Sequence, residues 1–179
     1  MKNIVVNFFG APGSGKSTAM AYVFARLKMR GVSCEIAPEF AKELFYEENF
    51  TAFENQVFIF GNQFYRIARL MDKVDVVITD SPAFVSVYYN NLENAKDEFS
   101  QFVSKISESF DNRNYYLKRV VEYDTKGRHQ SAEQADEVGE TLLSLLKKHN
   151  VKFEFADSLP ETLDKIVDDI VKEINGIWV

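Results

Sequence analysis

The nine residues Gly10-Ala11-Pro12-Gly13-Ser14-Gly15-Lys16-Ser17-Thr18 have the most specific chemical pattern in the chain. Their spacing, GxxxxGK[ST], is that of a loop that wraps phosphate groups. Without a Cβ, glycine lets successive backbone N–H groups turn inward around an anion. The apolar run Ile4 to Phe9 before it reads as a buried strand, and the run from about Ser17 to Met29 as a helix. The N-terminal end of that helix adds positive potential at the same place. Gly10, Gly13, Ser14, Gly15, Lys16, Ser17 and Thr18 are therefore the expected phosphate-binding residues. Lys16 is placed to neutralise the β- and γ-phosphates of a nucleoside triphosphate, and Ser17 to hold a magnesium ion.

Two carboxylates stand where they could complete such a site. Asp80 follows Val76-Val77-Ile78, a buried strand, and is expected beside magnesium, directly or through water. The competing reading is an ordinary helix N-cap before Ser81-Pro82. Glu39 ends an earlier strand and could take the proton from an attacking hydroxyl. It could instead stabilise the first turn of the next helix, and Glu43 is the substitute one turn on.

Cations cluster further along. Arg113, Lys118, Arg119, Lys126 and Arg128 bracket a fourth strand and the polar segment Tyr123 to Gln130. A mobile cation that closes over a transferring phosphoryl group excludes water and stabilises charge. Arg128, beside Gly127, is the first candidate for that catalytic role, and Arg119 the second, on the nucleotide. Gln56, Gln63 and Arg66 share a helix face with Phe60 and Phe64 between them. They could read a base or sugar, or simply form a polar surface. His129 and His149 lack companions at metal-ligand spacing.

These residues need elements to bring them together. Strands are expected at Ile4–Phe9, Ser33–Ala37, Val74–Ile78, Asn114–Val120 and Val151–Phe155. Helices are expected at Thr18–Met29, Glu39–Tyr46, Phe53–Met71, Ala83–Tyr89, Ala95–Phe110, Ser131–His149 and Pro160–Ile174. Val57, Phe60, Phe64, Ile67 and Leu70 would form the apolar face of the third. Regular alternation of strand and helix predicts an α/β fold, a five-stranded parallel sheet with helices on both faces in three layers. Ligands of such sheets bind at the carboxyl ends of strands. That end is where Gly10–Ser17, Glu39, Asp80 and the Arg119–Arg128 segment lie.

The chain of 179 residues is expected to be one domain, 1–179, with a lid at 121–131. Its net charge of −6 argues against a protein that coats nucleic acid. A single cysteine, Cys34, excludes an intrachain disulfide and reads as packing in a buried strand. With no signal-peptide pattern and no long apolar run, a soluble, cytoplasmic protein is expected.

With these residues in place, the chain resembles small P-loop kinases and ATPases, notably the ribosylnicotinamide kinase domain of NadR and related bacteriophage P-loop nucleoside and nucleotide kinases. The matching features are Gly10–Thr18, Pro38-Glu39-Phe40, the Gln56/Gln63/Arg66 helix, Asp80-Ser81-Pro82, and Lys126 to Gln130 before an acidic helix. The resemblance implies the P-loop NTPase fold, ATP and Mg2+, a nucleoside- or nucleotide-like acceptor, and host cytoplasm if the chain is phage-encoded. The expected function is transfer of the γ-phosphoryl group of ATP to an acceptor hydroxyl. Lys16, Glu39, Asp80 and Arg128 would be catalytic, Ser17 and Asp80 would bind metal, and Glu39, Gln63 and Arg66 would contact the acceptor. The alternatives are a kinase acting on hydroxymethylated pyrimidines in DNA, and a nucleotide-hydrolysing switch or assembly ATPase.

Overall fold

The computed structural model describes residues 3–120 and 131–176. The first strand, β1 (Ile4–Phe9), is buried along its whole length and sits at the centre of the sheet. Its side chains alternate between two cores. Ile4, Val6 and Phe8 face one; Val5 and Phe9 face the other. Burial of each large apolar side chain stabilises by roughly 1.5–3 kcal/mol, which is why this strand has no solvent-facing polar period.

Four more strands complete the sheet: β2 (Cys34–Ile36), β3 (Val76–Thr79), β4 (Asp111–Leu117) and β5 (Glu154–Ala156). Their order is β2-β3-β1-β4-β5, and every pairing is parallel. The chain order reverses on either side of β1, so the crevice opens at the β1 carboxyl end. Helices α1 (Lys16–Met29) and α7 (Pro160–Ile174) cover one face through Met20, Val23, Leu27, Leu163, Ile166 and Ile170. The other face packs against α4 (Gln56–Ala68), a 3-10 turn at Ala83–Val87, α5 (Lys96–Ser107) and α6 (Ala132–Lys148). This is the three-layer α/β P-loop NTPase-like architecture that the strand–helix alternation predicts.

Local chemistry sets the boundaries. Helix α6 begins with a reciprocal capping box: Gln134 N–H donates to Ser131 Oγ at 3.2 Å, and Ser131 N–H donates to Gln134 Oε1 at 2.9 Å. Pro160 occupies the first turn of α7, where its missing N–H costs nothing.

The single helix expected from Phe53 to Met71 is interrupted. Asn49 caps the short α3 (Phe50–Phe53), and Asn55 caps α4 by accepting from Phe58 N–H at 3.0 Å. The new start changes the inward face. Val57 is 49% exposed, while Gln56 and Gln63 are buried with Ile59, Phe60 and Ile67.

Strand β4 starts three residues earlier than expected, at Asp111, because Asn112 and Asn114 share hydrogen bonds with Asn7 across the strand pair. Arg119 lies beyond its end. Ala83–Val87 is a 3-10 turn rather than an α-helix, and Phe102 of α5 is 54% exposed rather than core. Cys34 is buried, and burial pushes its thiol up to about 11, so it packs and does not react. Among the described residues, no helix is long and apolar enough to cross a membrane.

Candidate active site

The loop after β1 cannot carry side chains at two of its glycines. Gly10 has φ 145°, and a Cβ there would lie 2.5 Å from Ser14 Oγ and 2.7 Å from the Leu117 carbonyl. Gly15, the N-cap of α1, has φ 87°, and a Cβ there would lie 2.4 Å from Ser158 Oγ. Both positions combine left-handed backbone with close approach of neighbours. The chain thus closes into a tight cradle ahead of the α1 N-terminus.

The polar groups of this cradle fit a phosphate chain. Ser14 is 1% exposed, and among the described residues its Oγ has no hydrogen-bond partner. A buried hydroxyl left unpaired costs about 1–3 kcal/mol, and a phosphate oxygen would satisfy it. Lys16 Nζ donates to the carbonyls of Gly10 and Ala11, both at 3.0 Å. Its ammonium therefore lies folded over the loop. Ser17 and Thr18 are exposed in the first turn of α1, open to ligand.

Ser17 and Asp80 meet directly. The Ser17 hydroxyl donates to Asp80 Oδ2 at 2.6 Å. Asp80 is 5% exposed, set at the end of β3. Its other oxygen, Oδ1, accepts the Glu39 backbone N–H at 3.1 Å. A serine oxygen beside a buried carboxylate is a hard-donor pair that suits magnesium, which takes its remaining ligands from phosphate and water. Asp80 does not cap its own following helix; no cap hydrogen bond forms at the Ala83 turn.

Glu39 is the N-cap of α2 (Phe40–Tyr46), although its side chain makes no cap hydrogen bond. It stands between β2 and α2 with its carboxyl pushed above the ordinary value, chiefly by desolvation. Lys16 pulls it down and Asp80 pushes it up, which places all three charges in one neighbourhood. Tyr89, at the far end of the turn that follows Asp80, feels the same carboxylate. Desolvation, with the Glu39 charge second, pushes its phenol up to about 12. Tyr88 packs edge-on against it at 4.7 Å. Sequence patterning did not single out Tyr89 or Ser158; each acts through a fold contact with a motif residue.

Gln63 and Arg66 build the wall behind Glu39. Gln63 is 2% exposed, and its Oε1 accepts from Phe40 N–H at 2.9 Å. Its Nε2 lies 3.4 Å from both the Ala37 carbonyl and Thr79 Oγ1. Arg66 donates to the Pro38 carbonyl at 3.2 Å, forms a two-pronged ion pair with Glu43, and lies 4.9 Å from the Phe40 ring centre. Both side chains are thus spent on the Pro38–Phe40 turn. The Arg66 pair also holds the Glu43 carboxyl below its ordinary value.

Arg119 reaches the phosphate loop from the other side. It donates to the Pro12 carbonyl at 3.0 Å and pairs with Asp136 of α6 at 2.7 Å. Arg128, with Lys126, Gly127, His129 and the expected lid, lies outside the described residues. His149 is the C-cap of α6 and packs edge-on against Phe84.

The fold has close counterparts. A crystal structure of NadR protein in complex with NR superimposes with a TM-score of 0.68 at 19% identity, covering 99% of this chain and 52% of that one. A second, NadR in complex with NAD and AMP-PNP, gives 0.67 at 17% identity, covering 99% and 51%. The chain therefore spans about half the length of those proteins, and at such identity the likeness is one of fold. No curated protein matches by sequence. The family model described as AAA domain matches residues 5–158, a span that holds the loop, Glu39, Gln63 and Asp80. The chain belongs to the AAA-domain family and has a P-loop fold resembling that of the NadR structures.

Proposed function

We propose that the protein is an ATP-dependent kinase that moves the γ-phosphoryl group of ATP to a hydroxyl of a nucleoside- or nucleotide-like acceptor. The observation that carries this reading is the Asp80 bridge. One carboxylate takes the Ser17 hydroxyl on the phosphate side and the Glu39 backbone on the other. A protein that only held nucleotide would not need a second, desolvated carboxylate whose backbone is fixed on the same buried group.

In this reading Glu39 accepts the proton of the acceptor hydroxyl as that oxygen bonds to the γ-phosphorus. The bond from the γ-phosphorus to the β–γ bridging oxygen breaks, and ADP leaves. A carboxyl raised toward the working pH is a better base than an ordinary glutamate. Lys16 leaves its loop carbonyls to meet the phosphates, and Ser14 Oγ gains its missing partner. Ser17 and Asp80 are the residues that would hold magnesium, which neutralises charge on the phosphate oxygens when bound. Arg119 steadies the loop at Pro12, and Arg128 would close from a lid at 121–131. The whole chain, 1–179, would act as one such domain. Positioning and electrostatics carry this reaction, with little covalent work for the protein.

Gln63 and Arg66 act one layer back in this scheme. They hold the Pro38–Phe40 turn, and so aim Glu39, while Tyr89 faces the acceptor side. Incubation with ATP, magnesium and a panel of nucleosides and nucleotides, read by mass spectrometry, tests the reading. One acceptor should gain a phosphate; hydrolysis with no acceptor labelled would overturn it.

A further inference from the structure

A second cavity, of about 410 Å³, lies on the α5–α6 side of the sheet. None of Gly10–Thr18, Glu39 and Asp80 lines it, so it is a separate site from the phosphate loop. Its volume falls within the roughly 300–1,000 Å³ typical of small-molecule sites. Its floor is unusual for the centre of a parallel sheet. Asn7, 4% exposed in β1, donates from Nδ2 to Asn112 Oδ1 at 2.8 Å and to Asn114 Oδ1 at 2.9 Å.

Every other position of β1 is apolar. A buried carboxamide in such a strand costs stability unless both its ends are satisfied. Only one end is. Among the described residues, no donor is bonded to Asn7 Oδ1, and the residue lines the cavity. The amide groups of Asn112 and Asn114 donate to backbone carbonyls, Asn112 to those of Ser107 and Phe110 and Asn114 to that of Lys152. They hold the Asn7 amide in one orientation, with its oxygen free to accept. On the rim, Ser107 Oγ is shut from solvent and, among the described residues, lacks a partner. One wall is an aromatic corner, Phe84 and His149, with ring centres 5.5 Å apart at 75°.

We propose that this cavity is a second, non-catalytic binding site for a small planar heteroaromatic molecule carrying an N–H donor, of nucleobase size. The N–H would satisfy Asn7 Oδ1 and the ring would lie against the aromatic corner. A purely apolar ligand would leave Asn7 Oδ1 without a donor.

Adenine is the probe. The full chain, saturated with AMP-PNP and magnesium, is titrated with adenine and followed by heteronuclear NMR and calorimetry. Adenine should shift the Asn7 side-chain amide and the His149 imidazole while AMP-PNP stays bound. Asn7→Ala should weaken adenine binding about tenfold, the value of one hydrogen bond, and leave AMP-PNP affinity unchanged. Should that variant fold poorly, Ser107→Met, at the helix end, fills the rim and should abolish the Asn7 shift. Adenine signals confined to Gly10–Thr18 and lost with AMP-PNP would overturn the proposal. So would no shift at Asn7 and His149 at millimolar adenine, or undiminished binding in both variants. If AMP-PNP itself fails to bind, the kinase reading fails, and the adenine titration still reports on this cavity.

Discussion

The Ser17 hydroxyl and the Asp80 carboxylate, 63 positions apart in sequence, are 2.6 Å apart in space. Strand β3 brings Asp80 alongside β1, through the register Asn7 to Thr79, and delivers it to the first turn of α1. Substitution of either partner removes half of the candidate magnesium site. Asp80→Asn keeps the shape and one acceptor oxygen but loses the charge. It should weaken magnesium-dependent nucleotide binding at least about tenfold, a loss typical of a charged hydrogen-bond partner. Calorimetric titration with AMP-PNP, with and without magnesium, measures it; binding without magnesium should change far less.

Lys16→Ala should reduce turnover by about 10²-fold or more, as for other single groups that stabilise transferring charge. The folded state should survive, since the lysine ammonium donates to loop carbonyls, those of Gly10 and Ala11, and not into the apolar core. Activity assays paired with thermal denaturation separate the two effects.

Glu39 supplies a pH signature. Its carboxyl is raised in the folded protein, so the native state holds its proton to higher pH than the unfolded chain. Stability from this group is therefore present below its ordinary pKa of 4.5 and is lost as pH rises through the folded value. Glu39→Gln should raise Tm at neutral pH, and the gain should vanish in acid. The same variant should lose about 10²–10⁴-fold in kcat, the usual contribution of a general base. Denaturation curves across pH, beside kinetics, check both halves.

Gly15→Ala should disrupt the loop for two separate reasons. A left-handed residue with a Cβ costs about 1–2 kcal/mol in backbone strain, and the new methyl meets Ser158. Adding Ser158→Gly removes the collision and leaves the strain. The double variant should recover part of the stability lost by Gly15→Ala, measured by urea denaturation, and the shortfall from wild type should match the strain.

Gln63→Leu tests the wall behind the site. It leaves the Phe40 N–H without its 2.9 Å acceptor. The expected loss of stability is about 1–3 kcal/mol, with kcat falling as Glu39 loses its aim. Denaturant midpoints and kcat should fall together; a KM effect with unchanged stability would instead place Gln63 on the acceptor.

Much of this was legible from residue spacing. Gly10–Thr18 is a local pattern, and local backbone geometry dictates it. The order of strands and helices followed from alternation of apolar periods. What the sequence concealed were contacts between polar groups that look solvated in isolation. Gln63 reads as a surface residue on a helical wheel, yet it is buried because three partners on Ala37, Phe40 and Thr79 await it. Asn112 and Asn114 hid the start of β4 for the same reason, since their partner Asn7 lies on another strand. Val57 turned outward because Asn55 restarted the helix. A cap one residue away shifts an inward face by about 100°, the turn of one α-helical residue.

The most direct test of phosphoryl transfer is stoichiometry. ADP and phosphorylated acceptor are quantified together, by mass spectrometry, for the wild-type chain and for Glu39→Gln across a panel of nucleosides and nucleotides. With the right acceptor, ADP and phosphorylated product should form in equal amounts, at a rate that depends on Glu39. ADP released at the same rate whatever the acceptor, with free phosphate as its only counterpart, would contradict the account.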